Sequence, residues 1–313
     1  MEQLKRVIDQ SPFQLYRCDT LQYYSLLGEG ASAKVYHVNF NNKEYAAKVY
    51  EDTEYVKFYD DFIYELNIAE RLKDNKYCIT VHCIGYTFEN EKIKIILFMD
   101  LLRSYGDLYD YIQNIADWNP CYQIKGKLVP QPKTNYIYFN RNDNVYWCYR
   151  LSKVQKIRIT KFILQAVNKL HSDGIIHGDI KTNNMALHYE YKKEIIKLID
   201  FGMSYISKTN KLIIMDYKSG TPGYRAPEQE KYKINFSSDI YSVGVTIIEL
   251  WNGDIWKNGN TFSELRKEVL EGLQKIKSNH KEFASLLRRC ILYNHQERPD
   301  IKKVLQLYSN ISF

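Results

Sequence analysis

No stretch of about eighteen apolar residues runs uncharged anywhere in this chain, which leaves no candidate for a membrane-spanning helix. The first ten residues, Met1 to Gln10, also lack the unbroken apolar core of a secretion signal. The six cysteines, at 18, 78, 83, 121, 148 and 290, form no C-x-x-C pair and no Cys/His array with zinc spacing. They read as reduced thiols, and these absences together lead to the expectation of an intracellular, cytoplasmic protein, with the nucleus left open. Internal repeats, coiled-coil heptads and low-complexity linkers are missing as well. So is a clustered basic run: the formal net charge is +7, but Lys and Arg are scattered and interleaved with 37 acidic residues. A nucleic-acid footprint should be clustered. The expectation is no specific nucleic acid, and a mildly basic surface suited to acidic proteins or nucleotides.

What is present is a chain of 313 residues, more than one hydrophobic core usually serves, so two subdomains around a cleft are expected. Short apolar runs at Tyr24–Leu27, Lys34–Phe40 and Glu44–Tyr50, separated by a glycine-bearing turn and by Asn41-Asn42, predict a strand meander. Phe58 to Leu72 then carries Phe62, Ile63, Leu66 and Ala69 at helical spacing. Two more strands, Ile79–Phe88 and Ile93–Met99, complete a small five-stranded sheet with one helix. Beyond it the chain turns mainly helical, with a short helix at Asp107–Ile115 and a long one at Val154–Ser172. The stripe of the long helix is Ile157, Phe162, Ile163, Ala166, Val167 and Leu170. The fold class is therefore α+β. Between these helices lies an insertion of about 116–151, too long for a simple connection. Within it, Tyr136–Phe139 and Val145–Tyr149 flank Asn140 to Asn144 and read as a hairpin.

The chemistry is concentrated in a few short motifs. Gly28-Glu29-Gly30-Ala31-Ser32-Ala33-Lys34-Val35 lies between the first two predicted strands, where small residues let backbone N–H groups approach phosphate oxygens. Lys48 ends Ala46-Ala47-Lys48 on an otherwise apolar strand and needs a counter-charge. Glu65 on the following helix is the best-placed carboxylate and Glu70 the competitor. His177-Gly178-Asp179-Ile180-Lys181-Thr182-Asn183-Asn184 is followed, after room for one hairpin, by Asp200-Phe201-Gly202 and then by Ala226-Pro227-Glu228. An Asp, a Lys two residues on, an Asn five residues on and a second Asp downstream supply a base, a cation for a γ-phosphate and two oxygen ligands for magnesium.

In this order the motifs resemble those of a eukaryotic-type protein kinase, from about Leu21 to Pro299. The resemblance implies a two-lobed protein-kinase fold with an N-terminal extension at 1–20, a nucleotide-binding lobe at 21–102 and a catalytic, substrate-binding lobe at 103–313. It implies Mg2+ with ATP, Mn2+ being an alternative, and it favours Glu65 as the partner of Lys48. By the same resemblance Asp179 would act as the base, Lys181 would neutralise the γ-phosphate, and Asn184 and Asp200 would ligate the metal. Leu27, Gly28, Gly30, Val35, Ala46, Met99, Leu101 and Leu187 would line the nucleotide. Gly220 to Glu228 resembles the peptide-binding end of an activation segment, with Arg298 as the buried partner of Glu228. Asp239 resembles the carboxylate that anchors the catalytic loop. Two residues depart from the pattern: Ala33 replaces the third glycine of the loop, and Gly178 replaces an arginine. His-Gly-Asp also occurs in kinase-like phosphotransferases acting on small molecules, whereas Lys181 and Thr221 resemble the serine/threonine branch of protein kinases. The expected activity is transfer to Ser or Thr of protein substrates. A nucleotide-binding scaffold or pseudokinase, with partner docking on the insertion, is the rival, and a small-molecule phosphotransferase is a third reading. Glycine at 178 offers no donor to a phosphate on Ser204, Ser207, Thr209, Tyr217 or Ser219, so constitutive activity is expected.

Overall fold

The computed structural model describes residues 11–29, 33–51, 56–89, 92–102, 104–113, 136–141, 144–149, 151–190, 193–257 and 259–313. The chain divides into one unit of Met1–Arg103 with Ile199–Ser204, and another of Ser104–Leu198 with Tyr205–Phe313.

The first unit is a sheet of six strands: β1 Leu15–Arg17, β2 Gln22–Glu29, β3 Lys34–Phe40, β4 Lys43–Glu51, β5 Val81–Glu89 and β6 Lys92–Met99. Their order across the sheet is β1-β5-β6-β4-β3-β2. Asn41 and Asn42 turn β3 into β4 with φ of 51° and 60°, the left-handed pair a two-residue hairpin demands and asparagine tolerates. Alternation along β4 sends Ala46 and Tyr50 to one face and Ala47 and Val49 to the other. On the first face they join Phe62, Ile63 and Leu66 of helix α1, Val56–Leu72. On the second they join Val38, Phe40, Ile96 and Phe98.

The expectation of five strands is corrected to six. Leu15–Arg17, within the segment read as an extension, runs parallel to β5 and pairs Leu15 with Ile84, Tyr16 with Gly85 and Arg17 with Tyr86. Three residues are too few to show an alternation, which is why the sequence pattern passed over them. Cys18 then crosses so close to Gly85 that a Cβ there would lie 2.5 Å from its sulfur.

The second unit opens with β7 Ser104–Asp107 and α2 Leu108–Gln113, so Asp107 ends a strand instead of starting the helix. Strands β8 Tyr136–Arg141 and β9 Asn144–Tyr149 form the antiparallel hairpin expected inside the insertion, and most of the rest of 116–151 lies outside the described residues. Helix α3, Lys153–Ser172, starts in a capping box of Ser152 and Gln155. Its buried face includes Ile159 and Leu164, while Ile157 and Phe162 of the expected stripe are half-buried. Strand β10 Ile175–Ile176 follows, and then the hairpin of β11 Met185–Glu190 with β12 Lys193–Leu198, to which β7 adds a third strand. After β13 Tyr205–Ile206, β14 Ile213–Ile214 and β15 Lys233–Ile234 comes α4, Phe236–Asn252, buried continuously from Ser237 to Leu250. Its hydroxyls are accommodated because Thr246 donates to Ser242 O at 2.7 Å, one turn back. Helices α5 Phe262–Asn279, α6 Lys281–Cys290 and α7 Ile301–Ser309 complete the unit; α5 and α6 pack on α4, and α7 on α3 and α6.

One ion pair ties Glu228, ahead of α4, to the segment before α7. Arg298 grips Glu228 through two bonds of 2.6 and 2.8 Å, and also donates to the carbonyls of Leu292, Ser237 and Tyr293. Both residues are buried, so removing one strands the other's charge. Arg298→Ala should therefore lower unfolding free energy by about 3–5 kcal/mol, read as a drop in the urea midpoint with an unchanged slope.

Candidate active site

In the first unit β4 places Lys48 and Tyr50 on the same face, two residues apart. The Lys48 ammonium lies 2.9 Å from Glu65 Oε1 and 3.2 Å from Asp200 Oδ1, and the Tyr50 hydroxyl donates to Glu65 Oε2 at 2.7 Å. Glu70, the competing carboxylate, is taken by Lys73 at 2.6 Å. Burial pulls the Lys48 ammonium down, but the Glu65 carboxylate, with Tyr50 and Asp200, outweighs it and holds Lys48 well above the usual lysine range. Burial, followed by the Glu65 charge, likewise holds the Tyr50 phenol well above its usual range, keeping it a donor. Asp200 sits at φ 61°, a left-handed conformation that aspartate is among the few residues to adopt.

The expected nucleotide-lining residues divide. Ala46 and Met99 face each other across β4 and β6 and are buried, and Val35 and Leu101 are half-buried against the same cluster. Leu27 lies at a register shift of β2 and is 49% exposed, and Gly28 has open space where a Cβ would stand. Gly30 lies outside the described residues, as does the side chain of Leu187, whose backbone is in β11.

In the second unit the loop bearing Asp179 hangs from α4. Asp239, in the first turn of α4, accepts the amides of His177 at 2.8 Å and Gly178 at 2.9 Å, and lies 2.9 Å from His171 Nε2. Gly178 adopts φ 81°, which a side chain would strain. Asp179 then accepts from the Thr221 amide at 2.7 Å and from Asn184 Nδ2 at 3.0 Å, and Lys181 Nζ stands 3.0 Å away. Lys181 also donates to the Thr221 hydroxyl at 2.6 Å. Asp179, Lys181 and Asn184 thus form one network with Thr221, 42 residues from Asp179 in sequence. Asn183 is turned aside, bonded to Asp107 at 3.0 Å.

A family profile described as protein kinase domain matches residues 21–308. The chain belongs to the protein kinase domain family. Among curated proteins, this kinase domain is 26% identical over 289 residues to the serine/threonine-protein kinase MPS1 of Encephalitozoon cuniculi, covering 89% of the chain and 41% of that protein. It is 35% identical over 144 residues to the serine/threonine-protein kinase kin-29 of Caenorhabditis briggsae, covering 45% of the chain and 17% of that protein. A third relative, the Arabidopsis thaliana leaf rust 10 disease-resistance locus receptor-like protein kinase-like 1.3, is 28% identical over 174 residues, 49% of the chain and 25% of its own length. The chain thus spans less than half the length of each.

Sequence reasoning missed parts of this kinase domain. Tyr50 was within reach, because period two puts it beside Lys48. Glu249 was not: it lies on the all-buried α4 and accepts from Thr182 at 2.8 Å, Tyr224 at 2.6 Å and Trp256 at 3.0 Å. Of the five hydroxyls considered for phosphorylation, Ser204 and Ser219 are buried.

Burial pushes the Glu249 carboxyl up to about 7, against the three donors that favour its ionised form. A carboxyl with a raised folded pKa contributes stability below its unfolded pKa and loses that contribution as pH rises through the folded one. Glu249→Gln should therefore flatten the fall in stability between about pH 5 and 8, by an amount on the order of 1–3 kcal/mol. Denaturation midpoints of both proteins at several pH values check this.

Proposed function

We propose that the chain is an ATP-dependent serine/threonine protein kinase, transferring the γ-phosphate of ATP to Ser or Thr hydroxyls of proteins. The observation that carries this reading is the single network of Asp179, Lys181, Asn184 and Thr221, which joins a base, a cation and a residue of the peptide platform. Asp179 would orient the attacking hydroxyl and accept its proton; Lys181 would balance the γ-phosphate charge. Lys48, kept charged by Glu65, would hold the α- and β-phosphates. Ala46, Val35, Met99 and Leu101, with Leu27, Gly28, Gly30 and Leu187, would surround the nucleotide. The lobes proposed for these tasks are 21–102 and 103–313.

Asn184 and Asp200 would hold Mg2+, or Mn2+ in its place. The chemistry of the donors supports this reading: with the Asn184 amide nitrogen bonded to Asp179, its side-chain carbonyl would serve as the ligand, and the Asp200 side chain is 55% exposed. Among the described residues no group of three or more His, Cys, Asp or Glu could cage a metal. When bound, the ion supplies charge neutralisation on the phosphate oxygens.

The Ser/Thr assignment is supported by Lys181 beside Thr221 and by the names of two relatives, both serine/threonine-protein kinases. We further propose partner docking on the 116–151 segment and an intracellular, cytoplasmic location. The location is supported by the buried thiols of Cys18, Cys83 and Cys290, which form no disulfide. Separately, no helix among the described residues is long and apolar enough to cross a membrane.

Asp179→Asn should cut phosphoryl transfer by about a hundredfold or more with ATP affinity within about twofold, whereas Asp200→Asn should weaken Mg·ATP binding as well. Labelled-ATP assays with nucleotide titration check both. Unchanged transfer in Asp179→Asn removes the enzyme reading, and phosphotyrosine as the main product removes the Ser/Thr assignment. Deleting 119–149 with a short linker should spare activity on a small peptide and reduce it on the protein substrate; equal losses on both refute docking.

A further inference from the structure

Gln229 lies just beyond the Ala226-Pro227-Glu228 motif and is 1% exposed. A buried primary amide must satisfy two donor hydrogens and an acceptor oxygen. Gln229 satisfies all three within this unit. Its Nε2 donates to Gly178 O at 3.0 Å and to Ser219 O at 3.2 Å, and its Oε1 accepts from Ala226 N at 2.9 Å.

The two carbonyls it joins flank the reaction machinery. Gly178 directly precedes Asp179, and its peptide groups are held on both sides, the N–H by Asp239 and the C=O by Gln229. Ser219 stands two residues before Thr221, whose amide donates to the Asp179 carboxylate at 2.7 Å. The amide therefore clamps both strands of chain that meet in the Asp179–Thr221 bond. Between them Gly220 has φ 87°, and a Cβ there would lie 2.8 Å from Gly178 O and 3.0 Å from Gln229 Nε2, so the two segments are in close contact at this point. Arg225 reinforces the same turn by donating to Gly220 O at 2.6 Å.

We propose that Gln229 is a positioning residue that latches the substrate-side end of the activation segment onto the catalytic loop without any phosphate. This rests on the protein-kinase reading above. The left-handed backbone of Gly178 disfavours a side chain at that position, and the anchor acts on its backbone carbonyl instead. Further phosphate-free ties hold the rest of the segment: Asn235 Nδ2 donates to Asn210 O at 3.1 Å, Met215 N donates to Tyr232 O at 2.9 Å, and Lys218 pairs with Glu230 at 2.9 Å.

The test compares the full chain, with and without phosphatase treatment, with Gln229→Glu and Gln229→Met. Glutamate keeps the acceptor for Ala226 N–H but turns a carboxylate toward two carbonyls; methionine keeps the volume and drops all three bonds. In both variants, amides of His177 to Asn184 and Tyr217 to Arg225 should exchange hydrogen about tenfold faster, while those of α4 keep wild-type rates. Turnover on a Ser/Thr peptide should fall about tenfold with KM for ATP within about twofold. Phosphatase-treated wild type should keep its slow exchange and its turnover. Wild-type exchange in both variants overturns the proposal, as does acceleration spread evenly through α4, which marks a packing role alone. So does slow exchange in the wild type that disappears on dephosphorylation. A wild type that phosphorylates no peptide removes the protein-kinase reading, and the exchange comparison still decides for or against the latch.

Discussion

A buried carboxylate at the first turn of α4 is the constraint on which the second unit depends. Asp239 is 1% exposed, and burying its charge is tolerable because two backbone amides and a histidine ring nitrogen meet it at the N-terminal end of the helix, where the helix dipole also favours a negative charge. Those amides belong to His177 and Gly178. The loop bearing Asp179 therefore takes its position from the helix with the most continuously buried surface in the unit. A side chain proposed to act on a reacting group must hold its geometry closely, and an anchor on a rigid element achieves that better than loop contacts alone.

From this anchor outward the same physical problem recurs. Glu249, Glu228, Gln229 and Asp239 are polar groups with little or no solvent, and each is satisfied by partners from segments distant in sequence. The cost of leaving such a group unsatisfied, about 1–3 kcal/mol and more for a charge, makes each a strict specification of how the chain must pass. Glu249 and Gln229 between them hold Ser219, Tyr224 and Ala226 of the segment that ends at Glu228. The first unit uses the same device: Glu65 and Asp200 offset the charge of Lys48, and the Tyr50 hydroxyl donates to Glu65, where a lone ammonium on a strand would be costly.

Much of the local structure was legible from the residues. Strands β3 and β4 stand close to where alternation and the Asn41-Asn42 turn put them, α1 begins at Val56, two residues before the expected Phe58, and the hairpin between Asn184 and Asp200 is formed by β11 and β12. The misses have specific causes. Strand β1 has only three residues, so no period can be seen in it. The stripe of α3 shifted because Ile159 and Leu164 face the packed side of a helix apolar enough to offer more than one face. Gln229 and Glu249 were invisible because polar residues inside apolar or turn-rich segments look alike whether solvated or buried.

The sequence by itself determined the kinds of chemistry available and their order along the chain: a small-residue turn, a lysine on a strand, and an Asp-Lys-Asn set followed by another Asp. Such spacings are set by turns and repeats a few residues long, which the backbone's own geometry enforces. Only the tertiary structure decided which of these groups meet. Lys48 and Asp200 are 152 residues apart, Thr182 and Glu249 are 67, and Gly178 and Gln229 are 51. No period marks pairs that far apart. Thr182 with Glu249 and Gly178 with Gln229 are selected because packing removes water from both partners at once, and a polar group without water binds whatever donor or acceptor the fold has brought to it; in the Lys48 pair only the lysine is withdrawn from water.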